Sequence, residues 1–411
     1  MINPILIEHI FKAASISRWN DYPKMVDLNE LDKQAHKFII AYFLAKLEGD
    51  VSVKTLIEYG VFEFLSRVVV TDIRPDVFHH IQKNKASELN AWIKIQLENV
   101  VNDENRAFKE RFDEYFANPH ANEKIRLILK AASYLATKWE FGIVYQTSQF
   151  LSDIEELKAK VEEEKEDYYG LDSFVLLERS SKLMKLIDLG GRLRFQRRWA
   201  QTQRIPQTNV LGHMLVVAIF SYFFSIEVGA CDKRLENNFF CALFHDLPET
   251  LTRDIISPVK YGVRGLNDII AEYEMRLIDE KILPLVPAKI RAEFSYILGV
   301  RKDENGKLIK DEFENRCLNR PLNDGGEPVA ISASLGSYNS DEYGAIDGKA
   351  LKFCDRFAAL VEAGISMSYG VSTRELKDGF EGLCKKFEDL PKCEGVDFLV
   401  ACNAFRVHFK V

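Results

Sequence analysis

The 411 residues, 47% hydrophobic and 28% charged, are enough to bury one large core or two moderate ones and read as a soluble globular protein. A formal charge of -7 argues against general DNA or RNA binding, although Arg192, Arg194, Arg197 and Arg198 make a local patch able to hold a phosphate. The seven cysteines form no C-x-x-C pair and several fall in apolar helical patterns, which argues for reduced core residues over a disulfide frame or a zinc site.

Met1 to His9 lacks the basic start and small-residue cleavage site of a secretory signal. No apolar run approaches a membrane span in length, so a cytoplasmic, non-membrane protein is expected. From there on, apolar residues recur at three- and four-residue spacing and alternating runs are few, so the chain reads as all-α. Positions in the first 150 residues anticipate later ones. Ser17-Arg18-Trp19 lies 180 positions before Arg197-Arg198-Trp199, and Gln34-Ala35-His36 takes the place of Leu211-Gly212-His213. In this register Glu63-Phe64 falls opposite His245-Asp246, Arg67 opposite Glu249, and Asp72 with Pro75 near Asp254 with Pro258. Ser133 then falls opposite Asp355, and the chain reads as a duplication whose first copy has lost its metal-type residues. Between the copies, Glu155 to Asp167 mixes opposite charges at helical spacing and predicts a solvated connecting helix within 151–178.

Residues 179–411 carry the chemistry. His213 sits in an apolar helical run, where a lone histidine is ordinarily a hydrogen-bonded core residue. The adjacent His245-Asp246 follows the apolar run Phe239 to Phe244 and is expected on a helix, aiming imidazole and carboxylate into one pocket, a pair that suits a divalent metal with open water positions. Glu249, four residues after His245, is expected on a neighbouring helix face as a base beside the metal, or else as a surface carboxylate. Asp254 reads as a helix cap unless it contacts substrate. The polar interval 301–343 predicts a long inserted loop, a lid or an inert insertion. Asp355, in an apolar helical stretch, needs a metal or a salt bridge such as Arg356. His9, His79, His80, His120 and His408 lack ligand spacing and are expected at the surface.

The ordered set Arg198-Trp199, His213, His245-Asp246 with Glu249, Thr252 and Asp254, Pro258-Val259-Lys260-Tyr261, then Asp355, resembles the HD-domain phosphohydrolase superfamily and, within it, the bacterial HD-domain 5'-deoxynucleotidases. Two departures bear on substrate choice more than on the metal site. Arg253 stands where relatives commonly have a small residue, and the insertion precedes Asp355. Taken with the internal repeat, the resemblance makes the expected fold two tandem HD-type helical units, a degenerate one at 1–150 and a metal-binding one at 179–411 with the insertion at 301–343. It also implies one divalent transition metal on His213, His245, Asp246 and Asp355, with manganese, cobalt or zinc favoured over magnesium because imidazole suits softer ions. Glu249 would direct the attacking water, Arg198 orient the phosphate and Trp199 pack near the sugar. The turn Asp254, Ile255, Ile256 and Ser257 would contact the substrate, with Lys260 assisting.

The implied reaction is hydrolysis of a nucleoside or deoxynucleoside 5'-monophosphate. The first unit would hold no metal and act as the scaffold of a pseudo-dimer, with a homodimer of whole chains left open. Two further readings stand beside it: a nucleotide sensor or interaction protein without turnover, and an HD phosphodiesterase acting on another phosphate ester. Against a two-metal phosphodiesterase, no histidine falls between Asp246 and His408.

Overall fold

The computed structural model describes residues 2–101, 106–253, 255, 263–303, 305–322 and 325–411. The apolar spacing is realised mostly as helices, and among the described residues the strands are two or three residues long, paired as three antiparallel hairpins. The first half holds α1 (Pro4–Ser15), α2 (Glu30–Glu48), α3 (Val53–Val70), α4 (Pro75–Gln96), α5 (Arg106–Ala117) and α6 (Glu123–Ser148). The side chains of Asn3, Asn29 and Ser52 cap α1, α2 and α3 by accepting from backbone N–H groups of the first turn.

The charged stretch is not one helix. It breaks into α7 (Ile154–Glu163), a tight turn over Glu164–Tyr168, and α8 (Asp172–Arg179), where Phe174 and Leu177, three positions apart, turn one face into the core. The second half continues with α9 (Ser181–Arg192), α10 (Val210–Glu227), α11 (Asp232–Phe244), α12 (Glu249–Thr252), α13 (Leu266–Leu277), α14 (Ala288–Ile297), α15 (Gly348–Ser368), α16 (Arg374–Asp389) and α17 (Phe398–Phe409).

At the centre α2 and α10 lie against each other, buried over Glu30–Ala45 and Val210–Ser225. Gly212 permits the approach: a Cβ there would lie 2.9 Å from Asp32 Oδ1 and 3.0 Å from the Leu31 side chain. Aromatic rings carry the contact on to α11, with Phe38 5.1 Å from Phe239 and Tyr42 4.7 Å from Phe240. One cluster of buried apolar side chains runs from Ile2 to Phe405, so the two halves share a core. Contrary to the sequence expectation, α10 is long and apolar enough to match a membrane span, with mean hydropathy 1.7 over 18 residues, but 89% of it is buried inside the protein. His9 also departs from expectation. It is buried, with Nε2 2.8 Å from the Leu65 carbonyl, tying α1 to α3. His80, His120 and His408 are exposed.

The 301–343 interval is built, not a bare loop. β1 (Val300–Lys302) pairs with β2 (Leu308–Lys310), and β3 (Arg316–Leu318) with β4 (Pro328–Ala330). Arg316 anchors it: the buried guanidinium donates to the carbonyls of Tyr296, Ile297, Glu312 and Glu314. A last hairpin, β5 (Lys392–Cys393) with β6 (Val396–Asp397), leads into α17.

One irregular turn occurs twice. Trp19 and Trp199 both have left-handed backbones, φ 58° and 54°, a costly conformation for a bulky residue. Ser17 bridges Asn29 as Arg197 bridges Asn209. Arg18 N–H donates to the Leu28 carbonyl and Glu30 N–H to that of Ile16, just as Arg198 donates to Thr208 and Val210 to Gln196.

Candidate metal centre

Three distant segments meet at the centre. The repeated turn delivers His213 in the first turn of α10, its N–H bonded to the Asn209 carbonyl. α11 ends at Phe244 and delivers His245 and Asp246 just past its last turn. The pair was expected within a helix. Pro248 prevents that, because it has no N–H for the Phe244 carbonyl, so 245–248 fold as tight turns and the chain restarts as α12 at Glu249. Glu249 is therefore held beside the pair by its own N–H on the Asp246 carbonyl and by Gln196 Nε2 on its carbonyl oxygen, not by a shared helix face. α15 supplies Asp355 and, two turns on, Glu362.

One ligand atom each from His213, His245 and Asp246 lies within 4.8 Å of the other two, and among the described residues this is the group of histidine, cysteine and carboxylate able to hold a metal. Asp355 lies next to these three without belonging to the group, its Oδ1 3.0 Å from His213 Nε2. The imidazoles are set for ligation by what their other nitrogens do. His245 Nδ1 donates to the Ala242 carbonyl at 2.6 Å, which leaves a bare Nε2, buried and without a hydrogen-bond partner, 3.2 Å from Asp246 Oδ2 but out of bonding geometry. His213 Nδ1 faces Glu362 Oε1 at 3.2 Å, which turns its Nε2 to the same side. A buried lone pair with no proton to accept, beside two carboxylates, is what a cation would complete. The chemistry of the donor set, two imidazoles and two carboxylates, fits a divalent transition metal.

The electrostatics agree with a cation-seeking pocket. Burial disfavours the charged form of every member. Against that, Asp246 and His245 favour each other's charged forms: Asp246 raises the imidazole and is itself held well below the usual carboxylate range, so a proton or another cation at Nε2 stabilises the pair, and the His213 contact lowers Asp355. Burial likewise works against a charged His213, but Glu362 and Asp355 outweigh it and raise that imidazole to about 9. Arg198 adds to the lowering of Asp246, Asp355 and Glu362 alike, so its charge faces the group.

Glu362 is the residue that sequence reasoning missed. Fully buried, it takes His213 Nδ1, the Thr208 hydroxyl at 2.9 Å and Trp199 Nε1 at 3.0 Å, with Arg198 and Arg204 each 4.0 Å away. Its spacing of seven from Asp355, the same face of one helix, was the available signal. Trp199 is thereby pinned, and its ring also covers Gly379 of α16, where a Cβ would come within 2.7 Å. Ile255 is half-buried; Asp254, Ile256, Ser257 and Lys260 lie outside the described residues. The insertion reaches the centre as well. Lys310 Nζ donates to the His245 carbonyl at 3.3 Å and to Glu312 at 2.7 Å, and the Phe313 ring lies 6.5 Å from that of His245.

The first half shows the same frame with different groups in it. Trp19 Nε1 and Arg18 Nε both donate to Glu140 of α6, as Trp199 does to Glu362. The expected pairing of His36 with His213 does not hold in this frame. With Asn29 answering to Asn209, the residue in the place of His213 is Lys33, whose ammonium donates to Ser133 as His213 meets Asp355. Lys37 is paired with Glu63 beside it. His36 points away, its Nε2 3.0 Å from the Ile187 carbonyl and its Nδ1 3.3 Å from Arg194.

Residues 190–384 match the HD domain family. Similar proteins include the 5'-deoxynucleotidase of Vibrio atlanticus (strain LGP32), 28% identical over 29% of this chain and 64% of that protein. The 5'-deoxynucleotidase of Photorhabdus temperata is 29% identical over 26% of this chain and 56% of its own length. That of Escherichia coli (strain K12 / DH10B) is 29% identical over 29% and 62%. The chain thus spans 56% to 64% of these relatives' length.

Proposed function

We propose that the protein is a cytoplasmic metal-dependent phosphohydrolase that converts nucleoside or deoxynucleoside 5'-monophosphates to nucleoside and phosphate, a reading supported by the match of residues 190–384 to the HD domain family. The observation that carries this reading is the pair of imidazoles whose Nδ1 atoms are already engaged and whose Nε2 atoms each face a carboxylate, Asp355 and Asp246, with His213, His245 and Asp246 within reach of one ion. His213, His245, Asp246 and Asp355 would hold one divalent transition metal, manganese, cobalt or zinc in preference to magnesium. Such an ion supplies Lewis-acid activation of water near neutral pH. Glu249, buried against the His245-Asp246 turn, takes the proton of the attacking water. Arg198 carries a positive charge to the phosphate side of the centre, and a guanidinium fork matches phosphate oxygens. By resemblance, the turn from Asp254 to Ser257 and Lys260 would contact the nucleotide.

We also propose that the chain is a fused duplication, a unit at 1–150 joined through 151–178 to one at 179–411. The twice-occurring turn and the matching places of Glu140 and Glu362 support it. The first unit would then be a metal-free scaffold. Lysines, Lys33 in the place of His213 with Lys37 one turn on, replace the imidazole, and Ser133 and Glu63 satisfy them.

The test is phosphate release from a panel of ribo- and deoxyribonucleoside 5'-monophosphates with several divalent metals. Release that disappears in Asp246→Asn and drops at least about 100-fold in Glu249→Ala is the expected result. Metal bound without release from any monophosphate would transfer the weight to a nucleotide sensor or to another phosphate ester.

A further inference from the structure

A cavity of about 800 Å³, walled on one side by α13 and on the other by the β1–β2 hairpin of the insertion, is connected to the metal centre through Lys310. Its lining gathers large apolar side chains that the fold otherwise leaves in water: Ile269 is 65% exposed, Tyr273 47% and Leu308 38%. Exposed apolar groups that converge in one concave site call for a ligand. Tyr273 offers a flat face, backed by the Arg276 guanidinium 4.8 Å from its centroid. Lys307 at the hairpin reaches Glu272 of α13 at 3.0 Å and ties the two walls together.

Lys310 links this cavity to the chemistry. It lines the cavity, yet its ammonium donates to the backbone carbonyl of the candidate ligand His245 and to Glu312. An ammonium has three donors, and those two bonds leave one for a ligand.

We propose that this cavity seats the nucleobase of the substrate, stacked on Tyr273, and that Lys310 donates to an oxygen of the sugar phosphate on its way to the metal centre. The insertion is thus a specificity element built into the site. A base has two apolar faces that stack on any aromatic ring, and the cavity has room for a nucleoside beside its polar rim of Asp268, Glu272 and Arg276. The proposal rests on the nucleotidase reading, and the experiment separates the two.

Two measurements on the full-length, manganese-loaded protein test it: equilibrium binding of deoxyadenosine 5'-monophosphate, and steady-state hydrolysis of that nucleotide and of deoxyribose 5-phosphate, which lacks the base. Tyr273→Ala, at an exposed position that tolerates truncation, is expected to raise Kd and KM for the nucleotide about tenfold, with kcat within about twofold and the baseless ester unaffected. Lys310→Met is expected to lower kcat/KM about tenfold or more for both esters without loss of bound manganese, and Lys310→Arg to recover part of it. Nucleotide kinetics within about twofold of wild type in both Tyr273→Ala and Lys310→Met would overturn the assignment, as would a nucleotide that does not bind at all. Tyr273-dependent binding with no hydrolysis of either ester would keep the base pocket and defeat the nucleotidase reading instead.

Discussion

At the residue scale, the centre depends on groups that never touch a metal. Glu362 holds the Nδ1 side of His213, and such outer partners tune metal affinity about 10- to 100-fold. Glu362→Gln should therefore weaken manganese binding by that order while the protein stays folded, as read by metal titration alongside circular dichroism; unchanged affinity would reduce Glu362 to a packing role. In the first half, burial and the surrounding cations push Lys33 down from 10.5 to about 7 despite the attraction of Glu30. Its folded value lies below its unfolded one, so the unfolded chain binds more protons between about pH 7 and 10.5, and this group's penalty fades as pH rises across that window. Lys33→Met should stabilise the fold at pH 7 by on the order of 3 kcal/mol, with the gain shrinking toward pH 10. Thermal midpoints at several pH values check this, and a pH-independent gain would exclude the charge as the cause.

At the element scale, short segments between helices do the positioning. The left-handed tryptophan turn sets the entry of α2 and of α10, and Pro248 cuts α11 so that His245 and Asp246 project past its end. Glu140 of α6 clamps this scheme across the two halves, taking Arg18 and Arg194 at 2.8 Å each, with all three side chains nearly or wholly buried. Removing Glu140 leaves the buried Arg194 guanidinium without a carboxylate while Arg18 keeps Glu30 at 2.8 Å, so Glu140→Ala should cost about 3–5 kcal/mol in urea unfolding. A cost under about 1 kcal/mol would show that water replaces the carboxylate. The insertion, by contrast, did not announce its structure. Its strands are three residues long, too short for alternation to register, and Arg316 reads in sequence as one more polar loop residue although it is the buried anchor of the whole interval.

At the scale of the whole molecule, α2 and α10 bury each other and a single apolar cluster crosses from one half to the other. Calorimetry of the intact chain should accordingly show one cooperative transition, and residues 1–150 or 179–411 expressed alone should aggregate or remain partly unfolded, since each would expose a central helix face. Two separate transitions would mean that the halves hold independent cores.

The sequence by itself determined the helical class and singled out His213, His245, Asp246 and Asp355, because helical periodicity is local and an ordered set of unlike ligands is rare by chance. It also contained the Arg-Trp pair twice, 180 positions apart. Tertiary structure alone decided that Lys33, not His36, stands in the place of His213, since the register follows from backbone hydrogen bonds around the turn and not from a shared letter. Only tertiary structure brought Glu362 under His213 and Lys310 to the His245 carbonyl, contacts that span 149 and 65 positions. Which side chains converge across such separations depends on how buried helix faces pack, and no local pattern in the chain encodes that.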